Sequence, residues 1–374
     1  MTSRVRRRHY GLGPPRPLYR TVPRCDVRVV LVGTGVYPIP PPGYGAIERL
    51  IAQYAQALQA SGHAVTVVQE VRRQQPVDEY WFAGRLKGLL RSQTADIVHA
   101  QTPVVGNRLA SLGIPYVYTT HSRNWFSVRG LTQRWGFRLE RRAISRSAAT
   151  ICPTDRLNAE VSRRLGTHRP AELPTIPIGI DVGSWRPAEP PPATVSALAV
   201  GAVIPIKRWE QAAAALADTG IRLRLAGPVP DRAYAERVRS AGPVEILGEI
   251  PDAQLQEEYH AASFLIHPSA SEILPVAVLQ AFACGIPVIG SEALRPVLED
   301  GIAGFIAVPD PRGSLGSSLR ALAVQLRDDR PLRARLGAGA RRCAEERYSW
   351  PKIVAAHLDL YEAVRNRFGP ALPG

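Results

Sequence analysis

The sequence predicts an α/β protein made of two successive doubly wound units, each a parallel sheet flanked by helices. The chain has 374 residues, which is more than a single hydrophobic core usually serves, so two domains are expected. Short apolar segments alternate with helical patterns along most of the chain, as they do in parallel sheets with crossover helices. A proline-rich segment at 182–195 interrupts this alternation, which then begins again. That segment is therefore the best candidate for a linker.

The predicted elements follow in chain order. Residues 1–24 are basic and rich in proline and glycine, without apolar periodicity, which predicts a flexible tail. The first unit, 25–185, opens with DVRVVLVG, a run typical of a strand buried on both faces. A helical pattern at 46–60 follows, and the later strands are AVTVV, ADIVHA, IPYVYTT and AATICP. The second unit, 186–350, has the strands SALAVGAV, IRLRLAG, VEILG, SFLIHP and IPVIGS, and a helical segment at 351–374 closes the chain. Ligands of such sheets bind at the carboxyl ends of strands, so the cleft between the two units is the expected site.

The composition is that of a globular protein with a strong positive charge. Lys and Arg number 47 against 32 Asp and Glu, a net charge of +15. This charge points to an anionic partner such as lipid headgroups, phosphorylated carriers or nucleic acid. A compositional bias explains it equally well, because all of these basic residues except Lys87, Lys207 and Lys352 are arginines.

The cellular compartment is predicted from what the sequence lacks. It contains no apolar run long enough to span a membrane and no secretory signal, so a cytoplasmic protein is expected. The four cysteines are scattered without a CxxC pair, and we interpret them as reduced packing residues.

The most informative segment is 263–291, SFLIHPSASEILPVAVLQAFACGIPVIGS. It predicts a strand ending at Pro268, a short polar loop with Glu272, and a helix that begins at Pro275, a residue favoured in the first turn. A helix N-terminus at a cleft binds anions through its free N–H groups and its dipole. Glu272, before the helix, and Gln280, in its second turn, can hydrogen-bond sugar hydroxyls beside a phosphate. The alternative is an ordinary strand-loop-helix connection in which Glu272 is a solvated cap.

This segment resembles glycosyltransferase family 4, whose hallmark is a glutamate, seven residues and a second glutamate. Glu272 occupies the first position, and Gln280 replaces the second glutamate. The other residues in register are Pro268, Ser269, Pro275, Leu279, Ala281, Ala283, Cys284, Gly285, Pro287 and Val288. The resemblance extends from about Arg28 to Phe368. It implies the GT-B architecture, in which two Rossmann-like domains face each other across a cleft, and a retaining transfer of a hexose from a nucleotide-diphosphate sugar.

The resemblance also implies roles for the residues of this segment. Glu272 would lie near the transferred sugar. Gln280 would bind the nucleotide ribose, without the charge assistance of a carboxylate. The backbone N–H groups of Ile273 and Leu274 would contact the sugar and the diphosphate. The second domain would therefore bind the nucleotide sugar, the first would bind the acceptor, and the segment 351–374 would pack back on the first.

A second phrase, GAVIPIKRWEQ, resembles the family's G-R-x-x-x-x-K-G. Lys207 falls on the lysine that binds the donor diphosphate in relatives. Ala202 replaces the arginine of the phrase and Arg208 replaces its last glycine, so Arg208 is a candidate for the missing charge. A cation here would stabilise the negative charge of the leaving group. The alternative is that Lys207 is a solvated residue at a helix start.

Two first-domain segments resemble further family motifs. In PPPGYGAIER, Gly43 and Gly45 are candidates for close backbone approach to the diphosphate, although glycines here can also simply turn the chain. In YTTHSRNW, His121 ends a strand and resembles a histidine that lies against donor sugar and acceptor in relatives. Asn124 and Trp125 are candidates for the acceptor side, while simple packing is an equally good interpretation of Trp125.

Cofactors and other partners complete the prediction. The chain has no Asp-x-Asp pair and no spaced His/Cys cluster, so no metal and no cofactor are expected beyond the nucleotide-sugar co-substrate. The acceptor is a glycan, a lipid-linked sugar or a small molecule. Aromatic and arginine residues mix at 80–91 and 125–146, which favours a peripheral position on an anionic membrane surface at the inner face of the cell membrane or, alternatively, a solvated helix face. No nucleic-acid-binding motif occurs.

The main hypothesis is therefore a retaining glycosyltransferase in which His121, Glu272 and Lys207 are the catalytic residues. The substitutions at Ala202, Gln280 and Pro296 leave open a catalytically silent protein of the same fold that binds a nucleotide sugar or glycan. A nucleotide-sugar epimerase is a third interpretation.

Overall fold

The computed structural model describes residues 27–42, 45–122, 130–168, 170, 172–192 and 194–373. The tail predicted at 1–24 and three predicted site residues, Gly43, Asn124 and Trp125, lie outside these ranges. Within the described residues the strands form two sheets in which every neighbouring pair is parallel. The predicted fold class, two doubly wound α/β units, is confirmed.

The first sheet has five strands in the described part of the chain. They are β1 (Arg28–Val32), β2 (Ala64–Val68), β3 (Ile97–Ala100), β4 (Val117–Thr119) and β5 (Ala149–Ile151). Their spatial order is β2-β1-β3-β4-β5. The helices of this unit are α1 (Ala46–Ala60), α2 (Asp78–Leu90), α3 (Pro103–Ser111), α4 (Gly130–Arg146) and α5 (Asp155–Leu165). Helices cover both faces, so β1 and β3 are buried almost throughout and are continuous apolar runs in the sequence.

The second sheet has six strands among the described residues. They are β6 (Ser196–Val200), β7 (Arg222–Ala226), β8 (Val244–Gly248), β9 (Phe264–His267), β10 (Val288–Gly290) and β11 (Gly304–Ile306). Their order is β11-β10-β9-β6-β7-β8. The helices are α6 (Trp209–Leu216), α7 (Arg232–Ala241), α8 (Asp252–Ala261), α9 (Val276–Ala283), α10 (Gly316–Asp328) and α11 (Arg330–Cys343). The helix expected to begin at Pro275 begins one residue later, and Pro275 is its N-cap.

The last helix, α12 (Trp350–Phe368), packs on the first domain rather than on the second. Tyr361 and Tyr54 of α1 share one core cluster, and their hydroxyl oxygens are 2.9 Å apart. Beyond the helix, Leu372 forms an antiparallel bridge with Ala95. The C-terminal segment therefore completes the hydrophobic core of the first domain.

The chain crosses between the domains twice, and the two crossings lie side by side. Ile180 on the way out forms a parallel bridge with Ser349 on the way back, and its backbone N–H donates to Tyr348 O at 2.7 Å. Gly179 is pressed against the indole of Trp350, where an added Cβ would lie 2.3 Å from a ring carbon. This close approach explains the glycine.

The proline-rich segment predicted as a linker lies on the surface of the second domain instead of bridging free space. Trp185 is buried in the second domain's core with Tyr259, and the Arg341 guanidinium donates to the carbonyl oxygens of Trp185 and Val182. The buried Trp185 side chain and these two hydrogen bonds hold the proline-rich run there.

Two histidines are buried where α12 meets the first sheet. The Nδ1 and Nε2 atoms of His99 are each 2.7 Å from a hydroxyl oxygen, those of Tyr361 and Thr119. His357 Nδ1 donates to Ile353 O at 2.8 Å. Burial lowers the pKa of His99 well below its ordinary value and lowers the pKa of His357 to about 4. Both imidazoles are therefore neutral in the folded protein at neutral pH.

We expect the free energy of unfolding to decrease as the pH falls from about 6.5 towards 4. The unfolded chain binds protons on both histidines below pH 6.5, whereas the folded chain does not, so acid favours unfolding. The shift of His357 alone corresponds to about 3 kcal/mol at pH 4. Urea unfolding between pH 7 and pH 5, above the range of most carboxylates, measures this. A His357→Leu variant should have a weaker pH dependence, and an equal slope in both proteins would contradict the assignment.

The described residues include three cysteines with free thiols. Cys152 and Cys284 are buried, and Cys343 is partly buried. Among the described residues, no helix is both long enough and apolar enough to cross a membrane.

Candidate functional site

A cleft of about 240 Å³ separates the two domains. Gly45 and Arg49, at the start of α1, line it on the first-domain side. Gly201, after β6, and Gly227, after β7, line it on the second-domain side together with Gln280 of α9. The cleft thus lies where the carboxyl ends of the second sheet's strands face the first domain, which is the expected place for a ligand. Two of the predicted donor-binding residues, Gly45 and Gln280, line it.

Lys207, Glu272 and His267 form a bonded group at the carboxyl ends of β6 and β9, beside this cleft. Lys207 Nζ is 2.6 Å from Glu272 Oε1, and His267 Nε2 is 3.0 Å from the same oxygen. Lys207 is next to the cleft, because a Cβ added to Gly201 would lie 3.8 Å from its Nζ. The structure therefore brings together two of the three residues predicted to be catalytic and adds a histidine that the sequence analysis missed.

Electrostatics keep this group charged. Burial by itself raises the pKa of Glu272, but the hydrogen bond from His267 and the charge of Lys207 outweigh it and lower that pKa to about 2. Burial lowers the pKa of His267. At neutral pH the group therefore consists of a carboxylate, an ammonium and a neutral imidazole. The alternative of a solvated cap does not describe Glu272, which is buried.

Backbone and hydroxyl contacts hold the two chain segments of this group together. The loop before Glu272 donates through Ala270 N to Ile206 O at 2.8 Å, and Ser269 Oγ is 3.3 Å from the same carbonyl oxygen. Ile206 belongs to the 3₁₀ turn Pro205–Lys207. The backbones of Lys207 and Glu272 are therefore held at a fixed separation, and their side chains meet through a bond of their own.

The start of α9 places the other predicted donor-binding residues. Leu274 is buried in the second domain's core, and Ile273 packs against the cores of both domains. Gln280, one turn into the helix, accepts a hydrogen bond from Tyr259 Oη at 3.2 Å. The Tyr259 hydroxyl thus orients the Gln280 side chain, which lines the cleft.

His121 lies two residues beyond β4, at the carboxyl edge of the first sheet, as predicted. Its Nε2 is 2.8 Å from Gln101 Oε1, and burial lowers its pKa to about 4. A neutral imidazole fixed by an amide can exchange hydrogen bonds with a hydroxyl but carries no charge at neutral pH. The structure describes no contact between His121 and the Lys207 group.

Arg49 is a second residue of the cleft that the sequence analysis missed. It extends from α1 to Asp252 of α8, with Arg49 Nη1 2.5 Å from the carboxylate, and so forms an ion pair between the domains. Arg49 and Ala202 line the same cleft. The first domain therefore places a guanidinium in the cavity where the second domain has alanine in place of the family's arginine.

Arg208 adopts a left-handed backbone conformation, with φ 56° and ψ 37°. This conformation costs a residue with a side chain roughly 1–2 kcal/mol. It explains why the resembled phrase has glycine at this place. An arginine that tolerates such strain next to Lys207 is consistent with a use for its charge.

We expect Arg208→Gly to leave the free energy of unfolding unchanged or raise it by up to about 1 kcal/mol, because strain is relieved while backbone entropy is lost. The family resemblance implies that this guanidinium binds the phosphates of a sugar donor, and the same variant should then raise the KM for that donor roughly three- to tenfold. Chemical unfolding and donor titration measure the two effects. Arg208→Ala is the matched control, with equal loss of charge but retained strain, and an unchanged KM in both variants would exclude a donor contact.

No group of three or more His, Cys, Asp and Glu side chains suited to a metal ion is present in the part of the chain that the structure describes.

Comparisons with known proteins indicate the family of the chain. Residues 47–184 match the family described as Glycosyltransferase Family 4, and residues 197–323 match the one described as Glycosyl transferases group 1. The chain is 30% identical over 311 residues to the alpha-maltose-1-phosphate synthase of Mycolicibacterium smegmatis, a match that covers 73% of this chain and 80% of the relative.

Two further similarities differ in extent. A D-inositol 3-phosphate glycosyltransferase of Streptomyces bingchenggensis is 31% identical over 197 residues, which cover 47% of this chain and 42% of that relative. The crystal structure of Anabaena HepE in complex with UDP and glucose superposes with a TM-score of 0.71 at 15% identity, covering 90% of this chain and 100% of that one. This structural likeness establishes the two-domain fold.

Proposed function

The chain belongs to glycosyltransferase family 4 and is a glycosyltransferase, and on this premise we propose that it transfers a hexose from a nucleotide-diphosphate sugar with retention of anomeric configuration and without a metal ion. The observation that carries the proposal is the bonded group of Lys207, Glu272 and His267 beside the interdomain cleft. In this group Lys207, a cation that can bind phosphates, lies next to Glu272, a buried carboxylate that can bind sugar hydroxyls.

In this mechanism the donor diphosphate lies between Lys207 and the start of α9. The leaving group gains negative charge as the bond from the sugar carbon to the phosphate oxygen breaks. Lys207, the N-terminal dipole of α9 and the backbone N–H groups of Ile273 and Leu274 stabilise that charge. Gln280 binds the ribose through its amide. These groups act by position and charge, so no metal ion is required.

Glu272 and His121 act on the sugar and the acceptor. Once the diphosphate draws Lys207 away, the Glu272 carboxylate accepts hydrogen bonds from sugar hydroxyls. The acceptor hydroxyl attacks from the face that the nucleotide leaves, and its proton passes to the departing phosphate oxygen. His121, neutral at working pH, orients a hydroxyl without exchanging charge. No protein nucleophile takes part in this scheme.

A panel of UDP-, GDP-, ADP- and dTDP-sugars tests the proposal by release of the nucleoside diphosphate in metal-free buffer. Acceptors come from the glycan, lipid-linked and small-molecule classes. Phosphorylated small molecules are the first to try, because the names of the two relatives contain maltose 1-phosphate and D-inositol 3-phosphate and the chain carries a net charge of +15. Consumption of one donor that Glu272→Ala abolishes supports the transferase. Donor binding without turnover over the whole panel would instead indicate a silent binding protein.

We further propose that the first domain touches an anionic membrane surface through α2 and α4. Leu131 is 84% exposed, Trp135 is 52% exposed and Tyr80 is 45% exposed. The rings of Tyr80 and Trp135 are 6.0 Å apart, so the two helices share one apolar patch. The same helix, α4, carries four exposed arginines, namely Arg134, Arg138, Arg141 and Arg142. Aromatic rings within a basic surface suit the interface of an anionic bilayer.

We expect the protein to sediment with vesicles that contain an anionic lipid and to stay in solution with phosphatidylcholine alone. Leu131→Asp combined with Trp135→Ser should abolish the sedimentation, because it replaces the two most exposed residues of α4's apolar patch by polar ones. Val308→Ser removes an exposed apolar side chain of the second domain and serves as the control. If the double variant still binds as tightly as the unchanged protein, the patch is not the contact and the solvated-face interpretation holds.

A further inference from the structure

His267 is a polar residue at a place where packing alone would favour an apolar one. The other residues of β9, Phe264–Ile266, are apolar and buried, and His267 itself is 1% exposed. Its Nδ1 atom is buried without a hydrogen-bond partner. An unpaired buried nitrogen costs free energy that leucine or valine would avoid. The histidine must therefore be retained for what its other nitrogen does.

That other nitrogen, Nε2, points at Glu272 Oε1 from 3.0 Å. Because the carboxylate only accepts, Nε2 must donate, and Nδ1 without a partner carries no proton. The ring plane is fixed by the edge-on indole of Trp209, whose centroid is 5.6 Å away at an interplanar angle of 84°. His267 is thus a rigid, neutral donor aimed at one oxygen of Glu272.

Lys207 and His267 share that oxygen, and they differ in how firmly they are bound to it. Lys207 is a flexible cation next to the cleft, and a donor diphosphate with two or more negative charges competes for it. When Lys207 turns to the phosphates, a buried Glu272 loses its charged partner. A buried carboxylate without a partner takes up a proton, and it then accepts hydrogen bonds from a sugar only weakly because its charge is lost.

We propose that His267 is a positioning residue that holds the Glu272 carboxylate in place while Lys207 leaves it for the donor diphosphate. The inference rests on the proposed function, because it assigns to the same site a change of partner during the donor's arrival. The titratable and charged groups that the described residues place against His267 are Glu272 on the following loop and Lys207 on the Pro205–Lys207 turn. Burial lowers the pKa of His267, so its imidazole is neutral at neutral pH.

Kinetics of sugar-donor consumption between pH 3.5 and 8 test the proposal in the full-length protein (a range that includes the ordinary pKa of a glutamate, about 4.3). His267→Leu removes the N–H group that donates a hydrogen bond to Glu272, whereas His267→Gln keeps an N–H group at nearly the same distance. We expect His267→Leu to lower kcat at least about tenfold and to shift the acidic limb of the kcat profile up by about one pH unit or more. The donor KM should change less than about threefold, because Lys207 is intact. His267→Gln should restore the wild-type limb.

A role in packing alone would give a different result. It would lower kcat by the same factor at every pH, and the acidic limb would stay where it is in the wild type. Thermal unfolding of both variants separates misfolding from loss of the bond. The control for loss of a histidine is His260→Leu on α8, whose ring is partly buried and bonded to the Arg186 carbonyl oxygen instead of to the Lys207 group. An unmoved limb in a folded His267→Leu protein overturns the proposal.

A second measurement does not depend on turnover, so failure of the proposed function remains distinguishable. In a Lys207→Met background, which imitates the departed lysine, the ¹³C resonance of the Glu272 carboxyl should report an ionised group at neutral pH. Adding His267→Leu to that background should raise the pKa of this carboxyl, and its titration should move to higher pH. If the titration is the same with and without His267, the positioning role is wrong even where the enzyme is active. If the wild type consumes no sugar donor but His267→Leu still raises the pKa of the Glu272 carboxyl, the transferase mechanism is wrong and the positioning role of His267 stands.

Discussion

Replacing Lys207 by methionine is expected to lower kcat/KM for the sugar donor by about 10²–10³-fold, the usual effect of losing one preorganised group that stabilises transition-state charge. Methionine keeps the length of the side chain and removes only the ammonium. The loss should fall on kcat more than on KM, because the leaving diphosphate is more negative in the transition state than in the bound donor. Steady-state rates of nucleotide release with the donor identified by the panel measure both parameters.

The other lysines of the chain, Lys87 and Lys352, are exposed, so Lys87→Met and Lys352→Met are matched controls that should retain full activity. Lys207→Met also removes the ammonium partner of the Glu272 carboxylate, so the fold of the variant has to be verified by circular dichroism. A folded Lys207→Met protein with an unchanged kcat would remove this lysine from the leaving-group site. The negative charge would then have to be stabilised by the start of α9 and by Arg49 or Arg208.

Replacing Gly179 by alanine is expected to lower the free energy of unfolding by about 1–3 kcal/mol, the usual cost of forcing extra atoms into a packed region. An added Cβ would lie 2.3 Å from a ring carbon of Trp350, and neither the crossing backbone nor the buried indole can move far. The strain falls where the two interdomain crossings touch, so α12 should loosen from the first domain. Urea unfolding measures the stability, and hydrogen exchange along α12 locates the change.

Gly84 in α2 provides the control, since a Cβ added there would meet nothing within 4 Å. Gly84→Ala should stabilise the protein by roughly 0.5–1 kcal/mol through the better helix propensity of alanine. Equal effects of the two substitutions would show that contact with Trp350 is not what requires glycine at position 179.

The fold could be predicted because its signals are local. Strands β1, β3 and β9 are buried on both faces, so each appears as an uninterrupted apolar run. Pro275 is a local signal for a helix start, and it placed the start of α9 to within one residue. The role of Trp185 could not be predicted, because no periodic pattern accompanies this tryptophan and its contacts with Tyr259 and Arg341 are distant in the sequence.

The candidate site was predicted in part, through motifs rather than through contacts. Lys207 and Glu272 were each identified from the phrases they resemble, but they are 65 residues apart and nothing local indicates that they share a bond. His267 had one signal, a polar residue at the end of the apolar strand FLIH, and that signal is ambiguous without the position of Glu272. Arg49 reaches a partner 203 residues away, a contact that depends on how the two domains face each other.

The return of α12 to the first domain has a consequence for the order of events during synthesis. Trp350, Tyr361 and Val364 belong to the same core cluster as Tyr54, and the ribosome makes them after all of the second domain. The domain that is translated first therefore cannot close its core until α12, Trp350–Phe368, has emerged. Until then its α1 face stays apolar and open, so premature termination near residue 349 should yield a chain whose second domain is complete and whose first domain is a target for chaperones and proteases.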